Sequence, residues 1–480
     1  MWSALKTVEV AASLLLLVSS AYALQSTSPA SFSKRYFEEH DGVRYNVFRH
    51  RSTNSTISYV KNSGICETTP GVNQYSGYIT TGVNMHMWFW FFESRNNPAT
   101  DPVALWLNGG PGCSSMQGLF RENGPCHFVD NSTEPTLNEY SWNNVANLLY
   151  VDQPIGVGFS YGNNIVNSTP SAAPYVWNLL QAFFENFPEY ESREFALFTE
   201  SYGGHYGPVF TDYIQEQNEK IQDGTVVGEE IEIIALGINN GWYDEVISEQ
   251  AYIDFGYQNK YKQLINESYA AELNETLEEN CVPAVAQCTL LQTNEACVAA
   301  EDSCGISSKI KKVAPAFSTY DVRANSSSDV GQPPATFRTV YLKRADVLAA
   351  IGARTNYTQC ISSGFSKTGD EARTMIPVLG DIVKTGINVL LWAGDADYTC
   401  NYKGNFQAVN EIEWDGQSEF VDTALAPFTV NGIEKGLYKT LDNLSWLQVY
   451  NAGHQVPFYQ PELSLLVFNQ TIHKQAISST

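Results

Sequence analysis

Phe195-Ala196-Leu197-Phe198 is a short apolar run that ends abruptly in Thr199-Glu200-Ser201-Tyr202-Gly203-Gly204-His205. A helix-compatible stretch, Val209 to Glu219, follows. Strand, sharp turn and helix in that order close only when the residues flanking the turn are small, because the two backbones approach each other there. Gly203 meets that demand, and Thr199 stands at the other flank where glycine is usual. The serine at the apex would then hold its Oγ out at the end of a sheet. The competing reading is an ordinary Ser-Gly loop, and the rest of the chain separates the two.

A serine held this way needs a base and an acid. On an α/β-hydrolase scaffold they follow it in the order acid, then histidine. After Ser201 the chain has only His205, His454 and His473. His205 falls in the expected helix, too close to turn back on Oγ. His473 lies among polar residues near the end, as a surface histidine does. His454 follows the apolar run Trp446 to Tyr450, inside Asn451-Ala452-Gly453-His454-Gln455-Val456-Pro457, a loop just past a late strand. The acid belongs after an earlier strand. Ile387 to Trp392 reads as a buried one and runs into Ala393-Gly394-Asp395-Ala396-Asp397-Tyr398-Thr399-Cys400-Asn401. Asp395 and Asp397 compete there. Spacing does not choose, since one can cap the turn while the other orients the imidazole.

A second glycine-rich turn follows the strand-like Val103 to Leu107: Asn108-Gly109-Gly110-Pro111-Gly112-Cys113-Ser114-Ser115. Glycines leave backbone N–H groups uncovered, as an oxyanion hole requires. Its second donor would be the N–H of Tyr202, next after the serine.

Together these segments resemble the serine carboxypeptidases. The resemblance rests on Trp106 to Ser115, Glu200-Ser201-Tyr202-Gly203-Gly204, Gly394 to Asn401, Gly453-His454-Gln455-Val456-Pro457, and Tyr150-Val151-Asp152-Gln153-Pro154-Ile155-Gly156-Val157-Gly158-Phe159-Ser160-Tyr161. The matches fall in family order over roughly residues 80 to 460. The spelling at Thr199 and Gly204 is more similar to the family's secreted fungal branch.

The resemblance implies roles. Ser201 is the nucleophile, His454 the general base and acid, and Asp397 the orienting carboxylate, which settles the choice of aspartate. Gly110 and Tyr202 supply the oxyanion N–H groups. Asn108, Glu200 and Glu122 hold the substrate's terminal carboxylate, and Trp106 lines that subsite. Cys113 pairs with Cys360, and Cys400 stays a free thiol near the site. The implied activity is release of C-terminal amino acids from peptides and proteins at acidic pH, through an acyl-enzyme on Ser201. Crowded carboxyls share a proton, and the raised apparent pKa favours acid conditions. An esterase or acyltransferase on the same scaffold is the alternative, and it has no need of a carboxylate-binding set. A non-catalytic glycoprotein is a third reading, which an intact triad opposes.

The other cysteines fit an oxidising compartment. Cys281, Cys288, Cys297 and Cys304 are close enough to pair among themselves, nested or crossed, which leaves Cys66 with Cys126. With no Cys-x-x-Cys pair and histidines elsewhere, neither metal nor cofactor is expected. Residues 1–23 read as a secretory signal: Lys6, an apolar Val8 to Val18 interrupted by Glu9, and Ala21-Tyr22-Ala23 at the cleavage site. No apolar run is long enough to span a bilayer, and the polar tail carries no lipid-anchor signal. Delivery is expected to be extracellular, with the vacuole as alternative. Sequons at Asn54, Asn131, Asn167, Asn266, Asn274, Asn325, Asn356, Asn443 and Asn469 fit that route. A net charge of −24 opposes binding to nucleic acid or anionic membranes.

Gly77 to Phe92 reads as early antiparallel strands, and 103–107, 148–152, 195–198, 232–237, 387–392 and 446–450 as core strands. Helical segments such as Ala172 to Phe187 alternate with them, so a mostly parallel sheet covered on both faces is expected. Residues 243–375 are polar and cysteine-rich, with helical periods as in Tyr257 to Leu277. They read as a helical cap inserted between core parts 24–242 and 376–480, at the sheet edge where ligands bind. Ala324 to Gly331 reads as a flexible loop.

Overall fold

The computed structural model describes residues 34–49, 55–129, 132–326, 339–362 and 364–480. The secretory signal, Asn54, Asn131 and positions 327–331 of the expected flexible loop lie outside them.

One 14-stranded sheet organises the molecule. Its parallel centre runs Asn147–Asp152, Val103–Leu107, Phe195–Glu200, Ile233–Asn239, Asn388–Gly394, Leu444–Val449. Side chains alternate between two cores, as a strand covered on both faces requires. Val103, Leu105 and Leu107 join Phe183, Phe210 and Ile214 of the helices Thr169–Asn186 and Gly203–Gln222. Ala104 and Trp106 join Trp142 and Phe468 on the other face, under the helix Pro461–Ile472. This is the α/β-hydrolase arrangement.

Both edges extend further than the sequence suggests. Lys34–His40, Val43–Arg49 and Thr56–Lys61 add antiparallel strands before Gln74–Gly82 and Met85–Phe92. Ala426–Val430 and Ile433–Leu441 close the far edge.

Helices Glu245–Tyr257, Glu267–Thr276, Val282–Leu291, Asn294–Ser303 and Ile306–Val313 cover the carboxyl ends of the strands with a core of their own. Ala396 and Tyr398 belong to that core, so this layer packs directly on the Asp397 loop. The helical period read over Tyr257 to Leu277 is broken at 258–266. Asn259 takes the N–H groups of Tyr261 and Lys262 and donates to the carbonyls of Phe255 and Lys262, a local alternative to the helix. Residues 341–357 pack back on the Trp106 face through Tyr341, Leu342, Val347 and Ile351.

Disulfides join Cys66–Cys126, Cys113–Cys360, Cys281–Cys304 and Cys288–Cys297. The pair within the helical layer is therefore nested, and Cys400 is a buried free thiol. Among the sequons, Asn443 uses both N–H groups of its amide to hold the carbonyls of Val383 and Ile387, and a glycan there would replace one of those two donors. Among the described residues no helix is long and apolar enough to cross a membrane.

Candidate active site

Ser201 sits between the strand Phe195–Glu200 and the helix Gly203–Gln222 with φ +64°, the left-handed region that non-glycine residues seldom occupy. Such strain persists only where the surroundings over-determine it. Here the Ser201 N–H donates to the Asn239 carbonyl, while the Ser201 carbonyl accepts from Gly204 and Trp242. A Cβ at Gly203 would lie 2.4 Å from the Thr199 Cβ, so glycine is obligatory there. Thr199 is accommodated because its Oγ1 donates to the Gly203 carbonyl at 2.9 Å. The departure from a small residue at 199 thus becomes a tie across the turn.

Asn451, after the strand Leu444–Val449, has φ +56°, and the chain turns there to bring His454 back over the sheet. The His454 N–H donates to the Tyr320 carbonyl, and the Tyr320 ring leans on the imidazole at 5.1 Å. His454 Nδ1 lies 2.7 Å from Asp397 Oδ2. Asp397 also accepts from Asn240 Nδ2 at 2.9 Å and from the N–H groups of Thr399 and Cys400, each at 3.0 Å. Asp395 lies apart: it accepts from the Tyr261 phenol at 2.7 Å, with Lys260 Nζ 3.9 Å away. His205 also lies apart, stacked behind the elbow with Nδ1 on the Trp242 carbonyl.

Ser201, His454, Asn108, Gly110 and Glu200 line one cleft of about 310 Å³, with Tyr320 and Gln455 in its walls. A Cβ at Gly109 would fall 2.4 Å from the Tyr202 nitrogen, so only glycine lets the 109–110 turn press against the elbow. Among the described residues, neither the Gly110 nor the Tyr202 N–H has a protein acceptor.

Beside them, Trp106 Nε1 and the Gly118 N–H both donate to Asn108 Oδ1, at 2.8 and 2.9 Å. That turns Asn108 Nδ2 toward Glu200 Oε1 at 3.1 Å and Glu122 Oε1 at 3.4 Å. Asn239 donates to the other oxygen of Glu200, and Gln455 donates to Glu122. Burial, then the charge of Glu122 and a hydrogen bond to it, hold Glu200 well above the usual carboxylate range. The second oxygen of Glu122 is buried without a partner among the described residues.

The Cys400 thiol is buried beside the triad, close to Asp397 and His454. Burial, then the charge of Asp397, raises its pKa well above the ordinary thiol value, so it stays protonated and is a poor nucleophile. Ligand-capable atoms of Asp397, Cys400 and His454 fall within 4.8 Å of one another. With a protonated thiol and Asp397 already holding four donors, this set suits a hydrogen-bonded relay better than a cation.

Sequence reading missed Asn239 and Asn240 as site residues. Two adjacent amides ending a buried strand beside the nucleophile's strand were the available signal. Tyr320 carried no local signal, since only tertiary packing brings it to His454; Gln455 stands next to His454 in its motif, but its bond to Glu122 is tertiary.

Residues 64–474 match the sequence model of the serine carboxypeptidases. The chain is 55% identical to Carboxypeptidase S1 of Penicillium janthinellum over 427 residues, covering 88% of this chain and all of that protein. It is 35% identical to Carboxypeptidase Y of Schizosaccharomyces pombe over 84% of this chain and 41% of the relative. Among solved structures, a prohormone-processing carboxypeptidase from Saccharomyces cerevisiae superposes with a TM-score of 0.73 at 25% identity, covering 85% of this chain and 92% of that one. By family match, curated relatives and fold alike, the chain belongs to the serine carboxypeptidase family.

Proposed function

We propose that this serine carboxypeptidase removes C-terminal residues from peptides and proteins at acidic pH through an acyl-enzyme on Ser201. The observation that carries the reading is that Asn108, Glu122 and Glu200 gather beside Ser201 and His454. His454 takes the Ser201 Oγ proton as Oγ attacks the carbonyl of the last peptide bond. Asp397 holds the imidazole by Nδ1, and the N–H groups of Gly110 and Tyr202 take up the oxyanion. His454 then passes the proton to the leaving nitrogen, the C–N bond breaks, and the C-terminal amino acid departs. Water, deprotonated by the same imidazole, cleaves the ester.

Asn108 and a protonated member of the glutamate pair donate to the substrate's terminal carboxylate, which selects the chain end. The 243–375 insertion, as a cap, limits access to the cleft. The leader and sequons support delivery through the secretory route, to the exterior or the vacuole.

An organophosphorus reagent is expected to label Ser201, and Ser201→Ala to lose on the order of 10⁴-fold in rate while staying folded. N-blocked dipeptides should be cleaved at acidic pH well ahead of their amides. Equal cleavage of amides and simple esters would move the esterase or acyltransferase reading ahead.

A further inference from the structure

The backbone and the side chain of Tyr202 face different ways. Its N–H lies against the Gly109 turn at the cleft. Its phenol is buried behind the elbow and donates to Asp370 Oδ2 at 2.6 Å. Asp370 is 1% exposed. It also takes the Thr169 N–H, at 3.1 and 3.0 Å on its two oxygens, and the Thr169 hydroxyl at 2.5 Å. One carboxylate therefore ties the elbow to the first turn of the helix Thr169–Asn186. The ring between is boxed in: His205 stacks on it at 4.7 Å, and Tyr206 and Phe365 meet it edge-on at 5.3 and 5.9 Å. The next residue, Glu371, accepts from Trp242 Nε1 through its carbonyl, and Trp242 in turn donates its backbone N–H to the Ser201 carbonyl.

We propose that Asp370 is a positioning residue for hydrolysis: through the Tyr202 phenol it fixes the direction in which the Tyr202 N–H points into the cleft. The proposal rests on the reading of that N–H as an oxyanion donor. Tyr202 begins the helix without a side-chain cap of its own, directly after a strained Ser201. With the phenol released, the 201–202 peptide can relax by small rotations. A donor misaimed by a fraction of an ångström loses most where charge develops in the transition state and little in the ground state. The phenylalanine ring fills the same box, so packing alone would leave Tyr202→Phe near the parent.

Tyr202→Phe, Asp370→Ala, Asp370→Asn and the Tyr202→Phe/Asp370→Ala double variant are compared with the parent in three assays. These are hydrolysis of an N-blocked dipeptide, inhibition by a peptide boronic acid, and competition by a free amino acid. Tyr202→Phe and Asp370→Ala are each expected to lower kcat about 10- to 30-fold, short of the roughly 10²- to 10³-fold cost of deleting a donor, with KM within about twofold. Boronate affinity falls by the same factor, because its oxygen occupies the oxyanion position. Affinity for the free amino acid, held by Asn108, Glu122 and Glu200, does not change. Asp370→Asn keeps one acceptor oxygen and recovers most of kcat, and the double variant is no worse than the poorer single. Parent-like kcat in Tyr202→Phe overturns the proposal, as does a loss shared equally by free amino acid binding or confined to melting temperature. If Asp370→Ala does not fold, Tyr202→Phe and Asp370→Asn decide alone. A parent enzyme that ignores the boronic acid sinks the oxyanion reading and this proposal with it; a boronic acid that binds parent and variants alike sinks only this one.

Discussion

Two buried acidic centres serve the same cleft from different sides: Asp397 stands behind His454, and Glu200 reaches the cleft wall with Glu122 behind Asn108 and Gln455. They treat their charge in opposite ways. Asp397 is fully buried and accepts from His454, Asn240 and the N–H groups of Thr399 and Cys400. That is the environment of an anion. Glu200 and Glu122 are nearly as buried, but their donors are the side-chain amides of Asn108, Asn239 and Gln455, with Asn108 divided between the two carboxyls. There burial and the neighbouring carboxyl disfavour the charged form, and Glu200 is raised well above the usual range. Burial is common to both. What differs is the supply of fixed donors and the presence of a second carboxyl, and these decide whether a site stores a charge or a proton.

The largest effect tests the charged centre. Asp397→Asn keeps the shape but presents the wrong group to Nδ1 of His454 and favours the wrong tautomer. Peptide and ester hydrolysis should both fall about 10⁴-fold in kcat, with KM little changed. An effect confined to peptides with a free C-terminus would show that Asp397 belongs to substrate binding instead.

The next effect tests the protonated centre. A raised carboxyl pKa means that the proton is present in acid and lost as pH rises through the raised value. The kcat/KM for free-acid peptides should fall over that rise in the parent enzyme. Glu122→Gln/Glu200→Gln keeps donors without titration, so the fall should vanish, at a cost of roughly 10²-fold in acid-range activity from imperfect hydrogen bonds. Substrates without a free carboxylate should change much less. Linkage gives a second readout. The folded state keeps the Glu200 proton where the unfolded chain has lost it, so this group's stabilisation falls as pH rises above the ordinary glutamate value. Melting temperature should therefore decline less toward neutral pH in the double variant. A variant with the parent's pH profile would break the comparison.

Much of this site was legible because its parts are local. The Ser201 elbow, the Asn108 to Ser115 turn, the Asp397 loop and the His454 loop each follow a recognisable apolar strand, and parallel strands must deliver such loops to one edge. What was not legible comes from other elements. Asn240 reaches Asp397, and Asn239 reaches both Glu200 and the His454 carbonyl, because their strand lies between those of Ser201 and Asp397. Asp370 reaches Tyr202 across 168 positions of chain. The outer strands escaped notice for another reason. Lys34–His40 and Ile433–Leu441 carry charge and much exposed surface, so neither reads as a core strand. The choice between Asp395 and Asp397 needed family resemblance, because the residues that separate them, Asn240 and Tyr261, are remote in sequence.

That choice gives the smallest expected effect. Asp395 and Asp397 share a loop and deep burial, yet Asp395 has the Tyr261 phenol and a distant, exposed Lys260 where Asp397 has His454. Burial raises the Asp395 pKa, with Tyr261 and then Lys260 opposing it. Asp395→Asn keeps an acceptor for the phenol and gives up only the weak screened attraction to Lys260. Its kcat/KM should stay within about threefold of the parent for peptides and esters alike, as when no transition-state contact is lost. Stability should change in one direction. In the parent, the folded state holds the Asp395 proton more tightly than the unfolded chain, so the stabilisation is complete in acid and is lost as pH rises past the ordinary aspartate range. Asparagine does not titrate, so the variant's melting curve should gain on the parent's between acidic and neutral pH. A 10⁴-fold loss of rate in Asp395→Asn, matching that of Asp397→Asn, would mean that the loop acts as one electrostatic unit. The separation drawn between its two aspartates would then fail.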